Sequence, residues 1–96
     1  MLLKKLIKNL PEEKKNIKVK GLSINSKKTL KGFIFFAIRG TRLNGEKFID
    51  SAVKNGASVV ACSKTCKYKN KNIFVIKTSD VRGLLAEISS KFYYKK

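Results

Sequence analysis

The chain has 96 residues, 23 Lys and Arg against 6 Asp and Glu, a net charge of +17, two cysteines and no histidine. That length supports one domain with a single modest core, and the absence of histidine excludes every His-based acid, base or nucleophile-activating arrangement. No apolar run approaches the roughly 20 residues needed to span a bilayer, and the lysines are spread along the chain in the manner of a solvated surface rather than gathered into one polyanion-binding block.

In chain order, residues 2–9 space Leu2, Leu3, Leu6 and Ile7 as a short amphipathic helix, closed before Pro11. The lysines between these residues and Glu12–Glu13 behind them do not make a secretory leader, so a cytoplasmic protein is expected. Asn16 to Ile24 alternates as a half-buried strand whose phase shifts at Gly21. Lys31-Gly32 reads as a turn into Phe33–Ile38, apolar throughout, the pattern of a strand covered on both faces.

A polar loop, "RGTRLNG" (Arg39 to Gly45), then leads into a helix that carries Phe48, Ile49, Ala52 and Val53 on one face. Asn44 is its candidate N-cap and Gly56 its stop. "ASVVACS" is a second buried strand, "KTCKYKNKN" a basic loop and "IFVIKT" a third short apolar strand. Val81, Leu84, Leu85, Ile88 and Phe92 complete a helix behind an Asp80 or Ser79 cap. This succession predicts an α/β three-layer domain with a mixed, partly parallel sheet flanked by helices.

Chemistry is sparse. Cys62 and Cys66 lack the further Cys or His ligands of a zinc site and are expected as free thiols. The six carboxylates are scattered, and no GxxxxGK(S/T) phosphate loop occurs. Binding is better served, because ligands of open α/β sheets dock beyond the carboxyl ends of the strands. Two polar segments leave strands there, "SINSKK" and "RGTRLNG". Ser26 and Thr41 supply hydroxyls, Gly40 allows close backbone approach, and Arg42 or Lys27 can pair with phosphate oxygens. The same residues also suit an ordinary turn, and the loop alone does not decide between the two.

The run "GLSINSKKTLKGFIFFAIRGTRLNGEKFIDSAVKNGASVVAC" resembles the opening domain of the Mur ligases, the ATP-dependent amide-bond enzymes of peptidoglycan biosynthesis. Their Asp-Ser-Arg, Pro-Gly-Asp-Leu-Phe-Phe-Ala, two-glycine loop, Phe-Ile and Gly-Ala pattern appears as Asn25-Ser26-Lys27, Lys31 to Ala37, Gly40 to Gly45, Phe48-Ile49 and Gly56-Ala57. "NIFVIKTSDVRGLLAEISSKFYY" is similar to the family's Val-Arg and Phe-Tyr ending of that domain. The first segment and Phe92-Tyr93 favour the ligase that adds meso-diaminopimelate or lysine to UDP-N-acetylmuramoyl-L-alanyl-D-glutamate (MurE-type), with the MurF-type ligase as the alternative.

The resemblance implies that residues 1–96 form one domain holding the uridine-diphosphate end of a UDP-N-acetylmuramoyl-dipeptide substrate. Contacts are implied from Ile24, Ser26, Thr41, Arg42 and Leu43, with no catalytic residue. Asn25 and Lys27 depart from the family's Asp and Arg. The family's Gly-Thr-Asn-Gly-Lys-Thr loop should follow the Phe-Tyr ending, and the chain stops at Lys96. The expectation is therefore a domain without its central ATPase and C-terminal partners, not catalytic alone. ATP and magnesium are expected in the full-length parent enzyme rather than in this chain. A monomer is expected, with no membrane partner. A small basic nucleic-acid-binding module, using Tyr68, Tyr93 and Tyr94 among lysines, is the reading from another class, and a fragment retained without function is a third.

Overall fold

A computed structural model describes residues 1–39 and 44–94. Four strands, β1 (Gly21–Ser23), β2 (Phe33–Phe36), β3 (Val59–Ser63) and β4 (Phe74–Thr78), form one sheet in the order β1-β2-β3-β4. Every neighbouring pair is parallel, with Gly21 beside Phe33, Ile34 beside Val59 and Val59 beside Phe74. The expected α/β architecture is present, and its sheet is parallel throughout; among the described residues, antiparallel pairing is confined to isolated bridges at Leu2–Lys18 and Arg39–Asn44.

Helix α1 (Ile49–Lys54) and helix α2 (Val81–Tyr94) lie on opposite faces of this sheet. The period-2 alternation of a strand explains how one apolar run serves both. Ile34 and Phe36 point into a core shared with Leu3, Leu6, Val19 and Ile88. Phe35 and Ala37 point into another, shared with Ile49, Ala52, Val60 and Cys62. A strand buried on both sides has no polar face to show, so "FIFFA" contains no polar residue. Each fully buried Phe of this kind contributes about 1.5–3 kcal/mol relative to exposure.

Local signals place the helix ends. Asn44 Oδ1 accepts the Glu46 N–H at 3.0 Å and opens a 3-10 turn, Gly45–Phe48, that leads into α1. Asp80 Oδ1 accepts the Gly83 N–H at 2.9 Å and caps α2, while Thr78 Oγ1 accepts the Asp80 N–H at 3.1 Å. Gly56, at φ +118°, turns the chain from α1 into β3, and its carbonyl accepts the Gly32 N–H at 2.9 Å.

The first segment departs from its helical spacing. Only Leu3–Lys5 forms a 3-10 turn, and Asn9 sits at φ 60°. The backbone instead pairs with residues 15–19: Leu3 N–H donates to Ile17 at 2.8 Å and Val19 N–H to Met1 at 2.7 Å. A short isolated helix is marginal in water, so hydrogen bonds to a neighbouring segment outweigh its propensity. Leu3 and Leu6 are nonetheless completely buried, as the spacing required. The strand expected over Asn16–Ile24 is split at Gly21, where β1 begins.

Candidate functional site

A cleft of about 890 Å³ opens at the carboxyl edge of the parallel sheet, within the range of small-molecule sites. Its walls come from the exit of β1 (Leu22 to Lys28), the exit of β2 (Ile38), the turn before α1 (Gly45 and Phe48) and the first turn of α2 (Arg82). In a parallel sheet every strand ends on the same edge, so the loops after β1, β2 and β4 converge there without help from the amino-terminal edge.

The β1 exit is a built turn. Ser23 Oγ accepts the Asn25 N–H at 3.0 Å and donates to the Asn25 carbonyl at 2.7 Å. Thr29, almost completely buried, donates from Oγ1 to the same carbonyl at 2.9 Å. Asn25 Oδ1 accepts the Lys27 N–H at 2.9 Å and so caps the 3-10 turn Ser26–Lys28. An aspartate oxygen at this position would accept the same bond, so the Asn25 departure from the family pattern leaves the turn intact. The Ser26 carbonyl accepts from Asn55 Nδ2 at 2.8 Å, tying this turn to the end of α1.

Of the predicted contact residues, Ile24 and Ser26 both line the cleft. Ile24 is 60% exposed, an apolar side chain held in water beside Ser26, which is 7% exposed. Phe48, 40% exposed, adds an aromatic surface. Thr41, Arg42 and Leu43, with Gly40, fall outside the described residues. The flanks of that loop are described and are joined: Arg39 and Asn44 form an antiparallel bridge, and Gly45 N–H donates to the Ile38 carbonyl at 2.9 Å.

Two features of the edge escape a linear reading. Arg82 reaches the cleft because α2 starts where β4 ends; a cation in the first turn of a helix that follows a parallel strand was the available signal. Glu46 is the other. Its side chain is 11% exposed, accepting from Ser63 Oγ at 2.7 Å and from the Arg39 guanidinium at 3.2 Å. Burial works to raise its pKa, but the Ser63 hydrogen bond and the Arg39 charge outweigh it, and the carboxyl titrates below its ordinary value. Glu46 thereby joins the exit of β2 to the end of β3.

Electrostatically the cleft is one-signed. Lys27, Lys28 and Arg82 line it, and no carboxylate is among the described lining residues. Cations beside exposed apolar side chains and a small hydroxyl suit an anion that carries a flat apolar group. The tyrosines that suggested nucleic acid are dispersed: Tyr68 packs against the α1-side core, whereas Tyr93 belongs to α2 across the sheet.

Cys62 and Cys66 are free and buried. Burial first, then the neighbouring Cys66 thiol, pushes the Cys62 thiol up to about 12, which keeps it protonated and unreactive at neutral pH. Among the described residues no three His, Cys, Asp or Glu side chains gather.

Comparison with known proteins adds to this geometry. The sequence profile of the Mur ligase family, catalytic domain, matches residues 18–93. A UDP-N-acetylmuramoyl-L-alanyl-D-glutamate--2,6-diaminopimelate ligase of Fusobacterium nucleatum is 40% identical over 76 residues, covering 79% of this chain and 16% of the relative. One such ligase of Clostridium acetobutylicum is 36% identical over 97 residues, covering 97% of this chain and 20% of the relative. The solved MurF ligase of Thermotoga maritima, in complex with ADP, superimposes with a TM-score of 0.59 at 27% identity over 76% of this chain and 16% of that one. The chain thus spans 16–20% of the length of these relatives.

Proposed function

This chain belongs to the Mur ligase family, and on that premise we propose that it is the substrate-anchoring domain of a MurE-type ligase, holding the uridine-diphosphate end of UDP-N-acetylmuramoyl-L-alanyl-D-glutamate. The observation that carries the reading is the cationic cleft at the carboxyl edge of the sheet, with Ile24 and Ser26 in its wall. Ile24 packs on the face of the uracil ring, and the Ser26 hydroxyl meets a hydrogen-bonding edge of the nucleotide. Thr41, Arg42 and Leu43 are assigned to the same ligand on the family pattern.

Anchoring a handle remote from the reacting carboxylate places that carboxylate without touching the chemistry, so binding energy is converted into position. ATP and magnesium, on this reading, are held by other parts of the parent enzyme, which acts in the cytoplasm where its nucleotide substrate is made. The MurF-type ligase is the second reading, supported by the likeness to the Thermotoga maritima structure.

A titration of the 15N-labelled chain with UDP and with UDP-N-acetylmuramate tests the assignment. Progressive shifts at the amides of Ser26, Thr41 and their neighbours are expected. Unmoved resonances at millimolar ligand overturn it.

A further inference from the structure

Resting on the uridine-diphosphate reading of the cleft, we propose that Arg82 is the side chain that recognises the diphosphate and sets the preference for a nucleoside diphosphate over the bare nucleoside. Arg82 lines the cleft from α2, whereas Lys27 and Lys28 line it from the turn after β1. Phosphate oxygens bound there face guanidinium on one element and ammonium on the other. The two are not equivalent: a guanidinium offers paired N–H donors in a fixed plane and stays charged at all working pH, while an ammonium acts as a mobile point charge.

Among the described residues, nothing structural accounts for Arg82. Arg82 is exposed, so it fills no core. The ion pairs among the described residues use Lys15, Arg39 and Lys91. Asp80, the carboxylate two residues away, spends Oδ1 on capping the Gly83 N–H. A cation in the first turn of a 14-residue helix also stands against the helix dipole, which favours anions at that end. Helix stability therefore argues for a different residue here, and a bound anion reverses the sign of that argument.

The experiment compares the wild-type chain, Arg82→Ala and Arg82→Lys in titrations with uridine and with UDP, followed by calorimetry and amide shifts. Dispersed, wild-type-like spectra of the free variants establish that the fold is kept, as expected for an exposed position. Arg82→Ala should lose about tenfold in UDP affinity, the size of one charge-assisted phosphate contact, with uridine affinity within twofold of wild type. Arg82→Lys should recover part of the loss, and raising the salt concentration should narrow the gap between wild type and Arg82→Ala.

An Arg82→Ala chain that keeps the wild-type ratio of UDP to uridine affinity sinks the assignment of Arg82 alone. Equal losses for uridine and UDP do the same, because they report a deformed cleft rather than a lost phosphate contact. A wild-type chain that binds neither ligand at millimolar concentration removes the uridine-diphosphate reading, and Arg82's role with it.

Discussion

Gly45 stands where the backbone leaving β2 passes closest to the turn that opens α1. An ideal Cβ added there would lie 2.7 Å from the Ile38 nitrogen, 2.9 Å from the Ile38 oxygen and 3.0 Å from the Ala37 carbonyl carbon. All three are backbone atoms, so no side chain can swing aside. Gly45 is not among the described glycines at positive φ, Gly32 and Gly56, so the cost of Gly45→Ala comes from contact rather than from a disfavoured dihedral. Relief requires Gly45 and Ile38 to separate by several tenths of an ångström, stretching the 2.9 Å hydrogen bond between them. Overpacking of this kind costs about 1–3 kcal/mol, which for a domain of this size lowers Tm by roughly 5–20 °C. Urea unfolding followed by circular dichroism should show a lower midpoint at unchanged slope. Ile38 and Gly45 also line the cleft, so UDP affinity should fall with stability. A Gly45→Ala chain with wild-type Tm and urea midpoint would refute the reasoning, by showing that the exit of β2 yields freely.

Two pH responses follow from half-buried Glu46 and buried Cys62. Glu46 has a folded pKa below its ordinary 4.5, so the stability it contributes is present above about pH 4.5 and is lost as pH falls through the folded value. Glu46→Gln should therefore be less stable than wild type by about 1 kcal/mol at pH 7, and the difference should close in acid; parallel pH–stability curves would contradict the Ser63–Glu46–Arg39 network. The Cys62 thiol titrates near 12 rather than its ordinary 9.0, so its contribution is complete below about pH 9 and lost as pH rises from there through the folded value. Iodoacetamide at pH 8 should label Cys62 in urea far faster than in the folded chain, and equal rates would mean that the residue is not buried.

Much of the architecture was legible because it is local. The unbroken apolar run from Phe33, the Asn44 and Asp80 caps and the Gly56 stop each act within a few residues, and each appears where the spacing put it. Ser26 was legible as a candidate for the same reason, because a short polar segment after a strand has few places to go, whereas Ile24 was named only through the family resemblance; both line the cleft. The family pattern then supplied a ligand class that physical reasoning about a serine and two glycines left open.

What the sequence by itself determined, then, was most of the elements from β1 onward and the faces they bury, because hydrophobic periodicity and capping are properties of neighbouring residues. Tertiary structure decided the rest. It paired the first segment with residues 15–19 instead of letting it wind into a helix, since those hydrogen bonds exist only once the two segments meet. It made all three strand pairs parallel, and that choice alone sends the exits of β1, β2 and β4 to a common edge. Arg82 enters the cleft and Glu46 finds Ser63 by the same convergence, a consequence of the order in which strands lie side by side, which no local spacing encodes.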